Sequence, residues 1–154
     1  MRQEVSSGAP QPGSAKTLLL EIISITHTGH DAEVQILPKS NVELEKRLTS
    51  SVIAGSPFIM LDNITCLVGH PALSAYITAT IWQGRDLGRS KLVTGEKTAI
   101  VMGNGNNLIL GGDVPRRTVM IYINSKTSRP EARTGFKHPE LLKWVRDKDR
   151  KSVV

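Results

Sequence analysis

The chain has 154 residues, 39% hydrophobic and 22% charged, with a net charge of +6, which fits one soluble globular domain and leaves no room for a second full one. A single cysteine, Cys66, excludes an internal disulfide and a cysteine-rich zinc module and favours a reducing compartment. The opening "MRQEVSSGAP" has no apolar signal region and no run approaches membrane-spanning length, so a cytoplasmic location with no membrane partner is expected.

The first distinctive stretch is "GAPQPGSAKT", Gly8 to Thr17. It approximates the phosphate-binding pattern G-x-x-x-x-G-K-[ST], with Pro10 and Ala15 standing at the two glycine positions. "TLLLEIISITHT" follows with apolar residues at helical spacing and ends at "TGH". "AEVQILP" alternates like a short strand. "SNVELEKRLTSSVIAG" reads as a second helix, capped by Ser40 or Asn41 and closed by Gly55. "PFIMLDN" is a continuous apolar run ending on Asp62, the pattern of a strand buried on both faces. A third helix is predicted over "HPALSAYITATIW", then a hairpin over "GRDLGRSKLVTG". "KTAIVMGNGNN" predicts a buried strand ending in asparagines, "LILGGDVPRR" a turn or short helix, "TVMIYIN" a final strand, and "HPELLKWVRDKDR" an amphipathic helix. Strands alternating with helices predict an α/β domain around a mostly parallel sheet.

In such sheets ligands sit at the carboxyl ends of the strands. Lys16 and Thr17, Asp62, and the cluster Asn104, Asn106 and Asn107 all fall at that edge. A lysine can neutralise β- and γ-phosphates while a hydroxyl (Thr17) and a strand-end carboxylate (Asp62) hold magnesium, and an asparagine can orient water. Each feature alone also suits an ordinary turn; their order along the chain is the more specific signal. Charge is uneven as well: residues 1–80 carry −2 and residues 81–154 carry +8, a distribution suited to a nucleic-acid backbone or a polyphosphate. His27 and His30 have permissible metal spacing but suit a helix C-terminus better, and Trp82 and Trp144 read as core or interface aromatics.

From "PGSAKTLLLEIISI" through "FIMLDN", "GRDLGRSKLVT", "GNGNN", "GGDVPRRTVMIYI" and "RPEARTGFKHPELLKWVR", the chain resembles the ATPase domain of primase–helicase proteins of phages and bacterial mobile elements, a branch of the AAA+ and superfamily 3 type. The resemblance runs from about Gly8 to Arg146. It implies a single, partial P-loop NTPase-like domain over residues 1–154, of three layers with a β-hairpin insertion. Residues 1–7 would be a disordered or truncated lead-in and residues 147–154 a frayed basic tail. It also implies ATP and magnesium as cofactors, with Gly13, Ser14, Ala15, Lys16 and Thr17 in the Walker A loop and Asp62 in the Walker B role. Asn106 would be the sensor, and Arg116 or Arg117 the arginine finger reaching a neighbouring subunit of a homo-oligomeric ring. The hairpin, with Arg85, Arg89 and Lys91, would face single-stranded DNA, and a primase would be a partner. The implied activity is an ATP-dependent DNA motor in replication of a mobile element.

Three departures modify that expectation. Asn63 stands where a water-activating glutamate usually follows the aspartate, so hydrolysis is expected to be weak or absent. Ala15 replaces a glycine, at a cost of roughly 1–2 kcal/mol if its backbone is left-handed. "MRQEVSS" is not the apolar strand that normally leads into the loop, which suggests a trimmed copy. The alternative function is therefore a catalytically inactive nucleotide- or nucleic-acid-binding fragment. A kinase-like phosphotransferase is a third reading, for which no substrate-base motif stands out.

Overall fold

The computed structural model describes residues 15–86, 91–123 and 132–152. Helix α1 (Lys16–Thr28) ends where Gly29 takes a left-handed backbone and its N–H bonds the Ile25 carbonyl. After the two-residue strand β1 (Val34–Gln35) comes α2 (Asn41–Ala54), entered through Ser40, whose hydroxyl accepts from the Glu43 N–H, and closed by left-handed Gly55. Both ends follow from side-chain chemistry, a hydroxyl cap at the start and a glycine without Cβ strain at the finish.

Strand β2 (Phe58–Ile64) is central: it pairs in parallel with β1 on one side and with β5 (Ile100–Gly105) on the other. Its first four residues are all buried, as a parallel strand covered on both faces requires. The alternation sorts them. Phe58 meets the edge of the His27 ring on α1, whereas Ile59 and Leu61 join Leu44 and Leu48 of α2 and Leu73 and Tyr76 of α3 (Pro71–Thr78). Thus α1 covers one face of the sheet, and α2 with α3 the other. Burial pushes the Tyr76 phenol up to about 12.

The predicted third helix is too long. It stops at Thr78, and Ile81 and Trp82 belong instead to β3 (Ile81–Arg85), which pairs antiparallel with β4 (Leu92–Glu96) as a separate two-stranded hairpin. From Ile81 onward exposure alternates, with Trp82 and Gly84 inward. The Trp82 indole donates to the Thr49 hydroxyl at 3.0 Å and packs edge-on against Tyr76. Two glycines let the hairpin lie against α2. A Cβ on Gly84 would sit 2.0 Å from Thr49 Oγ1, and one on Gly95 2.7 Å from Val52 Cγ1.

Beyond β5, a short 3-10 helix spans Val114–Arg117. The strand predicted over "TVMIYIN" does not form among its described residues, 118–123, which belong to no β-ladder. A cavity of about 480 Å3 is lined by residues of both β5 and this stretch. Helix α4 (Leu141–Ser152) packs on α1, and its Arg146 forms an ion pair with Asp31 in the loop just after α1. Helix α4 extends as far as Ser152.

Candidate functional site

The carboxyl ends of β2 and β5 and the amino end of α1 converge. Three side chains join them in one hydrogen-bonded series. Thr17 Oγ1 donates to Asp62 Oδ1 at 3.2 Å, Asn104 Nδ2 donates to Thr17 Oγ1 at 3.2 Å, and the Asn63 N–H donates to Asn104 Oδ1 at 3.3 Å. Residues 45 and 87 positions apart in sequence are thereby held together. Strand register explains the meeting. Leu61 is opposite Gly103, so Asp62 and Asn104 follow together at the ends of two parallel strands, where the register begins to shift.

The start of α1 is built differently from that of α2. Ala15, the residue before the helix, has φ 62° and ψ 23°, its carbonyl accepts from the Leu19 N–H, and its own side chain makes no capping bond. No acid occupies the first turn either. Where α2 is entered through a serine hydroxyl, α1 is entered through an alanine, whose side chain has no acceptor to give its first turn. The left-handed backbone at Ala15 is the conformation that favours glycine, and it costs alanine about 1 kcal/mol. Ala15→Gly is therefore expected to raise the melting temperature by about 2–4 °C, read by thermal circular dichroism; an unchanged or lower midpoint would show that this turn carries no strain.

Of the loop residues implied by the resemblance, Ala15, Lys16 and Thr17 are placed at this edge, while Gly13 and Ser14 lie outside the described residues. Asp62 is in contact with Thr17. Asn63 follows it with φ 49°, exposed, its N–H held by Asn104. The asparagine that reaches Thr17 is Asn104, which is buried, rather than Asn106, which is exposed on the bend after β5. Asn104 lies within β5 at its carboxyl end, whereas Asn106 lies past the last residue of the strand.

The two arginines separate clearly. Arg117 donates to the Ser74 carbonyl and, at 3.1 Å, to Thr78 Oγ1, and it also bonds Asp113 at 3.4 Å, so it clamps the C-terminal turn of α3. Arg116 pairs only with Asp113 among the described residues, and its side chain is 76% exposed. The hydrogen bond and charge of Arg116, with a smaller contribution from Arg117, hold the Asp113 carboxyl below its usual range. Arg85 and Lys91 flank the connecting loop of the β3–β4 hairpin, both exposed, where the Asp86 N–H bonds the Lys91 carbonyl at 3.0 Å; Arg89 lies outside the described residues.

Oxygen donors dominate the site. A hydroxyl and a carboxylate 3.2 Å apart suit magnesium, which takes one or two protein oxygens and completes its shell with water and phosphate. No protein-family model matches the chain, and neither a curated protein nor a solved structure is significantly similar to it.

Proposed function

We propose that the chain is a magnesium–nucleoside triphosphate-binding module of P-loop ATPase type, from a DNA-associated primase–helicase motor, in which nucleotide binding outlasts efficient turnover. One observation carries this reading: the Thr17 hydroxyl sits between Asp62 and Asn104 in the first turn of α1. Thr17 and Asp62 would hold the metal, the first N–H groups of α1 and Lys16 would meet phosphate oxygens, and Asn104 would fix the Thr17 hydroxyl and stand in the sensor position. Bound magnesium–ATP would bring the divalent charge that offsets phosphate repulsion. Arg116, exposed beside the clamped Arg117, is the better finger towards a neighbouring subunit of a ring.

The inactive-module reading is favoured by a separate observation. Asn63 occupies the position after Asp62 in a left-handed turn, and an amide there cannot take a proton from water.

Calorimetry tests the nucleotide site. The full chain is expected to bind ATP more tightly with magnesium than without, and Asp62→Asn to remove at least tenfold of the affinity for magnesium–ATP while leaving metal-free ATP nearly unaffected. Equal affinities of parent and variant with magnesium would overturn the assignment.

The basic second half is expected to bind single-stranded DNA with an affinity that falls steeply with salt. Reversing Arg85 and Lys91 to glutamate should weaken binding several-fold and flatten the salt slope, as measured by fluorescence anisotropy. Absence of binding at about 50 mM salt would remove DNA as a partner.

A further inference from the structure

Residues 132–148 place aromatic rings and cations together on the surface. Phe136 follows Gly135, whose backbone is left-handed; it is 52% exposed, and the Arg133 guanidinium lies 5.6 Å from its ring centroid. Trp144 of α4 is 40% exposed. The His138 ring stacks on it with centroids 4.2 Å apart and planes 24° apart, and the Lys148 ammonium lies 5.9 Å from its ring. Only Lys137 separates Phe136 from His138, so the backbones that carry the two ring groups are at most about 7 Å apart. Not every cation here is open to a ligand. Lys143 pairs with Glu140 and Arg146 with Asp31. Arg133 and Lys137, on either side of Phe136, are exposed and form no ion pair among the described residues.

We propose that this patch is a contact site for single-stranded DNA, in which one base stacks on Phe136, a second meets the His138–Trp144 stack, and Arg133 and Lys137 take the phosphates between them. The inference rests on the single-stranded-DNA reading above and adds a second site to that of Arg85 and Lys91. Two arguments select the occupant. First, cations without carboxylate partners beside exposed rings match a chain that alternates phosphates with flat bases. An acidic peptide would use the cations and leave the rings uncovered. Second, a membrane surface takes up an aliphatic face together with the charge, but Leu141, Leu142 and Val145 of α4 are half-buried in a helix that packs on α1. What remains outward is rings and charge.

Tryptophan emission and fluorescence anisotropy of the full chain with short oligo(dT) provide the test. Trp82 is buried and bonded to Thr49, so Trp144 is the indole that a bound base can quench, and quenching is expected. Phe136→Leu, which keeps an apolar side chain and loses the ring, should weaken oligo(dT) binding about fivefold or more while leaving inorganic polyphosphate, which has charge and no bases, within about twofold. Arg133→Gln with Lys137→Gln should weaken both ligands. Failure of the parent to bind oligo(dT) at about 50 mM salt ends the single-stranded-DNA reading and this site with it. Binding that Arg85→Glu with Lys91→Glu weakens and Phe136→Leu does not overturns this site alone. Equal losses of oligo(dT) and polyphosphate in Phe136→Leu would give the ring a structural role, and binding of phosphatidylserine vesicles without oligo(dT) would make the patch a membrane surface; either result overturns the proposal.

Discussion

Replacing Lys16 with alanine is expected to lower the affinity for magnesium–ATP by about 10- to 100-fold, the equivalent of one charged hydrogen bond of roughly 1.5–3 kcal/mol. The fold should tolerate the change. A lysine at the first position of α1 opposes the helix dipole, so alanine there leaves the helix no weaker. The cost should therefore appear in binding and not in the melting curve. Lys46→Ala, which removes the same charge from an exposed position on α2, provides the control and should leave affinity within about twofold, the scale of a screened distant charge. Matching calorimetric affinities for Lys16→Ala and the parent would end the phosphate-loop reading of "PGSAKT", whatever the hydrogen bonds of Thr17.

Features set by local chemistry were legible before any coordinates. Ser40 and Gly55 bracket α2 because a hydroxyl and a missing Cβ do the same work in any helix. The run "FIMLD" announced a strand buried on both faces, with its polar residue at the end. Features set by tertiary neighbours were not. Trp82 prolonged an apolar run that reads as helix, and only the hydroxyl of Thr49 and the closeness permitted by Gly84 show why the chain turns into a strand there. "TVMIYIN" has the composition of a strand, yet a strand needs a partner edge, and residues 118–123 pair with no strand among the described residues.

Which asparagine reaches Thr17 was within reach of counting. "FIMLD" and "IVMGN" have the same length and start in register, Phe58 opposite Ile100, so Asp62 and Asn104 arrive together at the strand ends, whereas nothing in "GNGNN" itself separates Asn104 from Asn106. The two arginines could not be told apart in sequence, because what distinguishes them is the carbonyl of Ser74, 43 residues away.

The isolated chain is expected to show no ATP turnover above background, a deficit of about 10²–10⁴ where a positioned base is missing. Geometry adds to the chemistry. Asn63 has φ 49°, a conformation asparagine tolerates better than most residues, and its N–H is engaged by Asn104. Substituting glutamate supplies a carboxylate but places it on a left-handed backbone at a cost of about 1–2 kcal/mol. Asn63→Glu should thus lower the melting temperature by a few degrees and raise turnover only weakly, and only at concentrations where subunits associate and Arg116 of one copy can reach the site of the next. Phosphate release measured across a wide range of protein concentration separates the cases. A linear dependence with a high rate at the lowest concentration, unchanged by Arg116→Ala, would show that a single subunit completes the reaction and that neither the missing glutamate nor a neighbour's arginine limits it. A rate at background in the parent, rising faster than concentration in Asn63→Glu and lost again in Asn63→Glu with Arg116→Ala, is the expected pattern, because positioning by Thr17, Asp62 and Asn104 is present in every subunit while base and finger are the two parts each subunit lacks alone.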